Sequence, residues 1–194
     1  MRSSYAVTTG PASEPITLTE AKNHLKVDFS ADDDLITALI VAAREEAESY
    51  TNRKLLPQTI TEKFDAFAVV DPVHNPGQHL VLSASPLRAI TSIAYKDENG
   101  SDQTLSSATY ITHDYEMPPR VGLAYGQSWP STYSQDQSVT VTYTVGYDDA
   151  DSVPAAIKQA MLLIIGFLYD NRQDSVSRLP TASEKLLWKY RVIY

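Results

Sequence analysis

The chain has 194 residues, 43% of them apolar, and a formal net charge of −8. That length gives one domain or one domain with an insertion, and enough apolar residues to bury a core. The acidity speaks against nucleic-acid binding by phosphate neutralisation, which needs clustered Lys and Arg. The absence of cysteine excludes disulfide frameworks, zinc–cysteine sites and thiol nucleophiles.

Residues 1–15 are rich in Ser, Thr and Pro, have no apolar core of signal-peptide length, and read as a flexible arm. Thr17 and Glu20 then match a capping box, predicting a short helix that ends near Val27. Ser30 offers a second N-cap, with Asp32, Asp33 and Asp34 in the first turn that the helix dipole favours. Leu35, Ile36, Leu39, Ile40, Ala43, Ala47 and Tyr50 recur at helical spacing up to Asn52, which can take the left-handed conformation that closes a helix.

Between Pro57 and Tyr147 the period falls to two, broken by Pro, Gly and Asn. Candidate strands are 59–67, 79–82, 89–95, 102–105, 109–112, 121–125 and 139–145, with a turn at 97–100 and a longer loop at 71–78. Helix then returns over 153–172, VPAAIKQAMLLIIGFLYDNR, with Pro154 suited to the first turn. This stretch is apolar on nearly every side, but its unbroken apolar run, 160–169, is about half the ~20 residues that span a membrane. It reads as a buried helix and part of a subunit interface, with Leu163 and Phe167 towards the core and Leu162, Ile165 and Tyr169 covering much of the remaining surface. A last helix runs from Thr181 through Tyr190. The layout is α+β: a small helical bundle of two N-terminal and two C-terminal helices (16–55 and 150–194) with a β-rich insertion at 56–149.

No catalytic constellation is visible. None of the four histidines, His24, His74, His79 and His113, falls in a two-histidine metal motif, and the seven glycines form no phosphate loop, nucleophile elbow or dinucleotide fingerprint. Asp32–Asp34 lack the glycine and final glutamate of an EF-hand loop. The expectation is no enzyme, no metal and no cofactor.

Two features point to contact surfaces. Tyr125, Trp129 and Tyr133 crowd into one loop, which either folds over the sheet with Trp129 as a plug or presents a partner site. Residues 172–194 hold five basic side chains against two acidic ones in an otherwise acidic chain, alongside Leu186, Leu187, Trp188, Tyr190, Ile193 and Tyr194. Aromatics with Arg are enriched at interface hot spots. Twelve tyrosines against four phenylalanines also suit half-exposed surfaces, since Tyr couples an apolar body to a polar tip.

The segments EPITLTEAKNHLKVD, SYTNRKL, SWP, VGYDDADSVPAAIKQAMLLIIGFLYDNR and LLWKYRV, in this order and spacing, resemble the head–tail connector (adaptor) proteins of tailed bacteriophages. The likeness covers residues 14–194 and is to the larger variants with a β-rich insertion. Departures are Asn52 in place of a helix-ending Gly, and Trp188-Lys189 in place of a smaller pair. The resemblance implies a virion-neck protein, present in the host cytoplasm during assembly. It would form a ring, usually twelve-fold, beneath the portal, extend the DNA channel and dock the next tail component, a stopper or tail tube. Duplex DNA would pass without specific binding, repelled by acidic walls, and no membrane is involved.

On that basis Leu186, Leu187, Trp188, Lys189, Tyr190, Arg191 and Tyr194 are expected at the portal, and Leu162, Ile165 and Tyr169 between copies. Asp32, Asp33, Asp34, Glu45 and Glu48 are expected along the channel. Tyr125, Trp129 and Tyr133 form a tail-side or partner loop. The alternative is a carbohydrate- or receptor-binding virion module using the Trp129 loop.

Overall fold

The computed structural model describes residues 4–67, 79–172 and 181–193. The loop expected at 71–78, with His74, and the terminal Tyr194 lie outside the described residues. The chain divides into two compact units, one of Pro11–Leu56 with Tyr147–Val192, the other of Met1–Gly10, Pro57–Gly146 and Ile193–Tyr194.

The first unit is helical, with α1 (Leu18–Leu25), α2 (Asp33–Thr51), α3 (Ala155–Asp170) and α4 (Thr181–Trp188). The capping box at α1 forms as the sequence predicts. Thr17 Oγ1 accepts from the Glu20 N–H at 3.2 Å, and the Glu20 carboxylate accepts from the Thr17 N–H at 2.7 Å. These bonds hold the Glu20 carboxyl below its usual pKa. Lys26 (φ 59°) closes α1 and Asn52 (φ 55°) closes α2 in the left-handed conformation.

The start of α2 differs from expectation. Asp32 is the N-cap rather than Ser30, and its carboxylate makes no cap bond because it is held by Tyr169 and Arg172 instead. Helix α3 begins after Pro154 and buries Ile157, Ala160, Met161, Ile164 and Ile165. Ile165 is therefore a core residue, while Leu163 and Phe167 are only half-buried. At 100° per residue Ile165 falls on the arc centred on Ile164, and α1, α2 and α4 all pack on α3.

The second unit is β-rich. Strands β1 (Ser4–Thr9), β2 (Gln58–Phe64), β8 (Val139–Val145), β4 (Leu87–Lys96) and β5 (Asp102–Thr104) form one antiparallel sheet in that order. Strands β3 (His79–Val81), β7 (Arg120–Leu123) and β6 (Tyr110–His113) form a second, three-stranded sheet, with a 3₁₀ turn at Ser107–Thr109 leading into β6. Alternation sets the faces: β8 turns Val139, Val141, Tyr143 and Val145 inward, and β2 turns Ile60, Glu62 and Phe64 inward. The predicted turn at 97–100 is present, with Gly100 at φ +80° donating its N–H to the Asp97 carbonyl at 2.8 Å.

The arm expected at 1–15 is corrected by β1. Residues 4–9 are an edge strand paired antiparallel with β2. All six are exposed, and Tyr5 and Val7 alternate over too short a run to stand out among Ser and Thr.

Candidate assembly surfaces

Charge organises the helical unit. The Asp32 carboxylate at the start of α2 accepts from the Tyr169 hydroxyl at 2.5 Å and from Arg172 Nη2 at 2.8 Å, both at the end of α3. The guanidinium also lies 4.7 Å from the Tyr169 ring centroid. The Tyr169 bond, then the Arg172 bond, holds Asp32 below the usual carboxylate range, and Asp32 in turn raises the pKa of Tyr169 and of Arg172. Residues more than 130 positions apart are thus fastened together.

A second cluster lies inside the unit. Glu48 accepts the Leu55 N–H and Lys54 Nζ, each at 3.0 Å, with Arg44 Nη1 at 3.6 Å. Arg44 Nε donates to Glu14 at 2.8 Å. Glu48 is 5% exposed.

This geometry revises the acidic set expected along a channel. Glu48 is buried among ion pairs and cannot line one, because the turn after α2 folds the 54–55 backbone over it. Asp33 is held by Lys22 Nζ at 2.5 Å, and Asp32 by the α3 end. Asp34 and Glu45 remain outward, with Glu46 exposed beside them.

The C-terminal segment is also revised. Leu187 is fully buried, and Leu186 and Tyr190 are half-buried. The Val192 N–H donates to the Thr51 carbonyl at 2.8 Å, Asn52 Nδ2 to the Val192 carbonyl at 2.9 Å, and Arg53 Nε to the Tyr190 carbonyl at 2.5 Å. The segment belongs to the body rather than reaching from it, so Leu187 is no docking residue. Trp188 (61% exposed), Lys189 and Arg191 face outward. On α3, Leu162 and Tyr169 are half-buried.

In the β unit Trp129 stacks on Phe67, with centroids 4.9 Å apart and planes within 3°, and packs on the core. One face of the indole is covered, as the plug reading holds. Tyr125 is fully exposed and Tyr133 is 42% exposed. A shallow pocket beside Tyr133 is lined by Asp65, Ala66, Ser134, Gln135 and Asp136.

His79 and His113 meet edge to face, 5.8 Å between centroids, over Gly122. A Cβ at residue 122 would fall 2.7 Å from His79 Nδ1 and 3.2 Å from His113 Nε2, so a side chain here would have to displace the His79 ring. Among the described residues no three His, Cys, Asp or Glu side chains gather to hold a metal ion, and no helix is long and apolar enough to cross a membrane.

The fold matches that of solved neck proteins. A chain in the neck of an empty gene transfer agent particle, computed with C6 symmetry, superposes with a TM-score of 0.80 at 19% identity, covering 98% of this chain and 96% of that one. A chain from the virion of a native gene transfer agent gives 0.79 at 18%, covering 98% and 96%. One from the neck of the native particle, computed with C12 symmetry, gives 0.76 at 18%, covering 100% and 97%. No curated protein matches the chain. A family model described as phage gp6-like head-tail connector protein matches residues 15–121, from the lead-in to α1 through the β-rich strands to β7. The chain belongs to the phage gp6-like head-tail connector family.

Proposed function

We propose that the protein is a structural adaptor of a virion neck. Copies form a ring beneath the portal, extend the DNA channel and dock the next tail component. The observation that carries this reading is the family match across both the helical and the β-rich regions, together with a fold shared over nearly the whole chain with neck proteins. The net charge of −8 supports a passive channel, since an acidic wall repels the phosphate backbone and lets duplex DNA slide. A glycan-binding module is disfavoured by the Phe67–Trp129 stack, which occupies one face of the ring such a site would offer.

Negative-stain microscopy of the full chain, alone and mixed with its portal protein, tests the assignment. Rings seated on the portal are expected, with no tight, salt-sensitive binding to free duplex DNA. A chain that stays monomeric and unbound in both samples would sink the adaptor reading, and tight DNA binding would sink the passive channel.

A further inference from the structure

We infer that the basic, aromatic outer face of α4 docks on the acidic outer face of α2 in the next copy, and that this contact closes the ring. The inference rests on the adaptor-ring reading above.

Helix α4 buries Ser183 and Leu187, which turns Lys185, Trp188 and Lys189 outward. Trp188 is 61% exposed, a large apolar surface to leave in water. The Arg191 guanidinium lies 5.7 Å from its ring centroid and 5.9 Å from that of Tyr50, so the patch is braced before any partner arrives. Bonds from Thr51, Asn52 and Arg53 fix the backbone beneath it. Exposed Trp and Arg on a rigid base have the makeup of a hot spot, and the flanking lysines favour an acidic counterpart.

The same unit carries that counterpart. Helix α2 buries Ile36, Ile40, Ala43 and Ala47, which leaves Asp34, Ala38, Ala42, Glu45 and Glu46 on its outer face. Its carboxylates are opposite in sign to the lysines at α4, and its alanines leave flat helix surface for an indole. A closed ring of identical copies uses two different surfaces per subunit, each complementary to the other. Trp188 then seats against Ala38 and Ala42 of the neighbour, with Lys185 and Lys189 beside its Glu45 and Glu46.

Charge reversal tests this directly. Sedimentation velocity of the full chain, alone and with portal protein, should show ring-sized species for the wild type. K185E/K189E and E45K/E46K should each lower self-association at least about tenfold. The four substitutions combined should restore it, because opposite signs face each other again. Trp129 is covered by Phe67, so a blue shift of tryptophan emission on assembly reports on Trp188. If the wild type forms rings and K185E/K189E forms them equally well, the α4–α2 contact is wrong while the adaptor reading stands. If the combined variant stays apart while each pair alone assembles, the contact is also overturned. A wild type that forms no ring with or without portal defeats both.

Discussion

The two units hold themselves together in different ways. The β-rich unit takes most of its chain from one run, 57–146, and its sheets close over inward Val, Ile, Leu and Phe, with Glu62 as a buried acid. That carboxylate is satisfied by the Tyr143 hydroxyl at 2.7 Å and by the Ser83 N–H and hydroxyl. The helical unit joins two segments separated by that run, and it adds to its apolar core polar fasteners: Asp32 to Arg172 and the Tyr169 hydroxyl between the segments, and Glu14 to Arg44 within the first. Where closure runs between distant parts of a chain, apolar burial sets the affinity of the halves and directional charges fix their register.

Breaking the shared apolar core should have the largest effect. Ile164→Asp buries an unpaired charge at a position 1% exposed, a cost of several kcal/mol that should unfold the helical unit. Leu163→Asp, one residue away but half-buried, should retain its helical circular dichroism. If the two variants melt alike, the assignment of the α3 faces is wrong.

The buried fastener comes next. Glu48→Ala removes one of the carboxylates paired with Arg44, which keeps Glu14, and takes this acceptor from Lys54 and from the buried Leu55 N–H, which should cost about 3 kcal/mol in urea denaturation. A loss under about 1 kcal/mol would mean that the cluster is decorative.

In the β unit, Tyr143→Phe removes one of the donors to Glu62 and should cost about 2 kcal/mol, with the native sheet retained. A neutral result would show that Ser83 and other donors satisfy Glu62 without the tyrosine.

The smallest effect concerns pH. Asp32 has a depressed folded pKa, so its contribution is present above its unfolded value near 3.8 and is lost as pH falls through the folded one. Glu20, Asp97 and Asp149 shift the same way, the last two through hydrogen bonds led by Gln103 and Ser152. Melting temperature should therefore hold steady at mildly acidic pH and decline below about 4. Asp32→Asn should flatten that decline slightly, and an unchanged acid limb would remove Asp32 from the account.

Much of the fold was legible because local chemistry recorded it. Thr17 and Glu20 announce a helix start whatever surrounds them, and Asn52 closes α2 as its tolerance of positive φ foretells. Strand β8 occupies the expected span, since alternating Val and Thr over a half-buried surface admits little else. Strand β1 escaped notice because an edge strand exposed on both faces needs no apolar period. The misread sites share one cause. Ile165, Leu187 and Glu48 sit on helices whose composition allows several buried arcs, and periodicity alone cannot choose among them.

The sequence by itself determined most of the elements, the acidic character and the ordered motifs that lead to a connector family. Those properties depend on residue type and near-neighbour spacing, which survive without knowledge of what packs where. Only the tertiary structure decided which residues are surface. It withdrew Glu48 and Leu187 into the body, tied residues 190–192 back to the end of α2, and left Trp188 outside. Burial is a property of the partner that covers a face, and α2 and α3, which cover one another, lie more than a hundred residues apart in the chain.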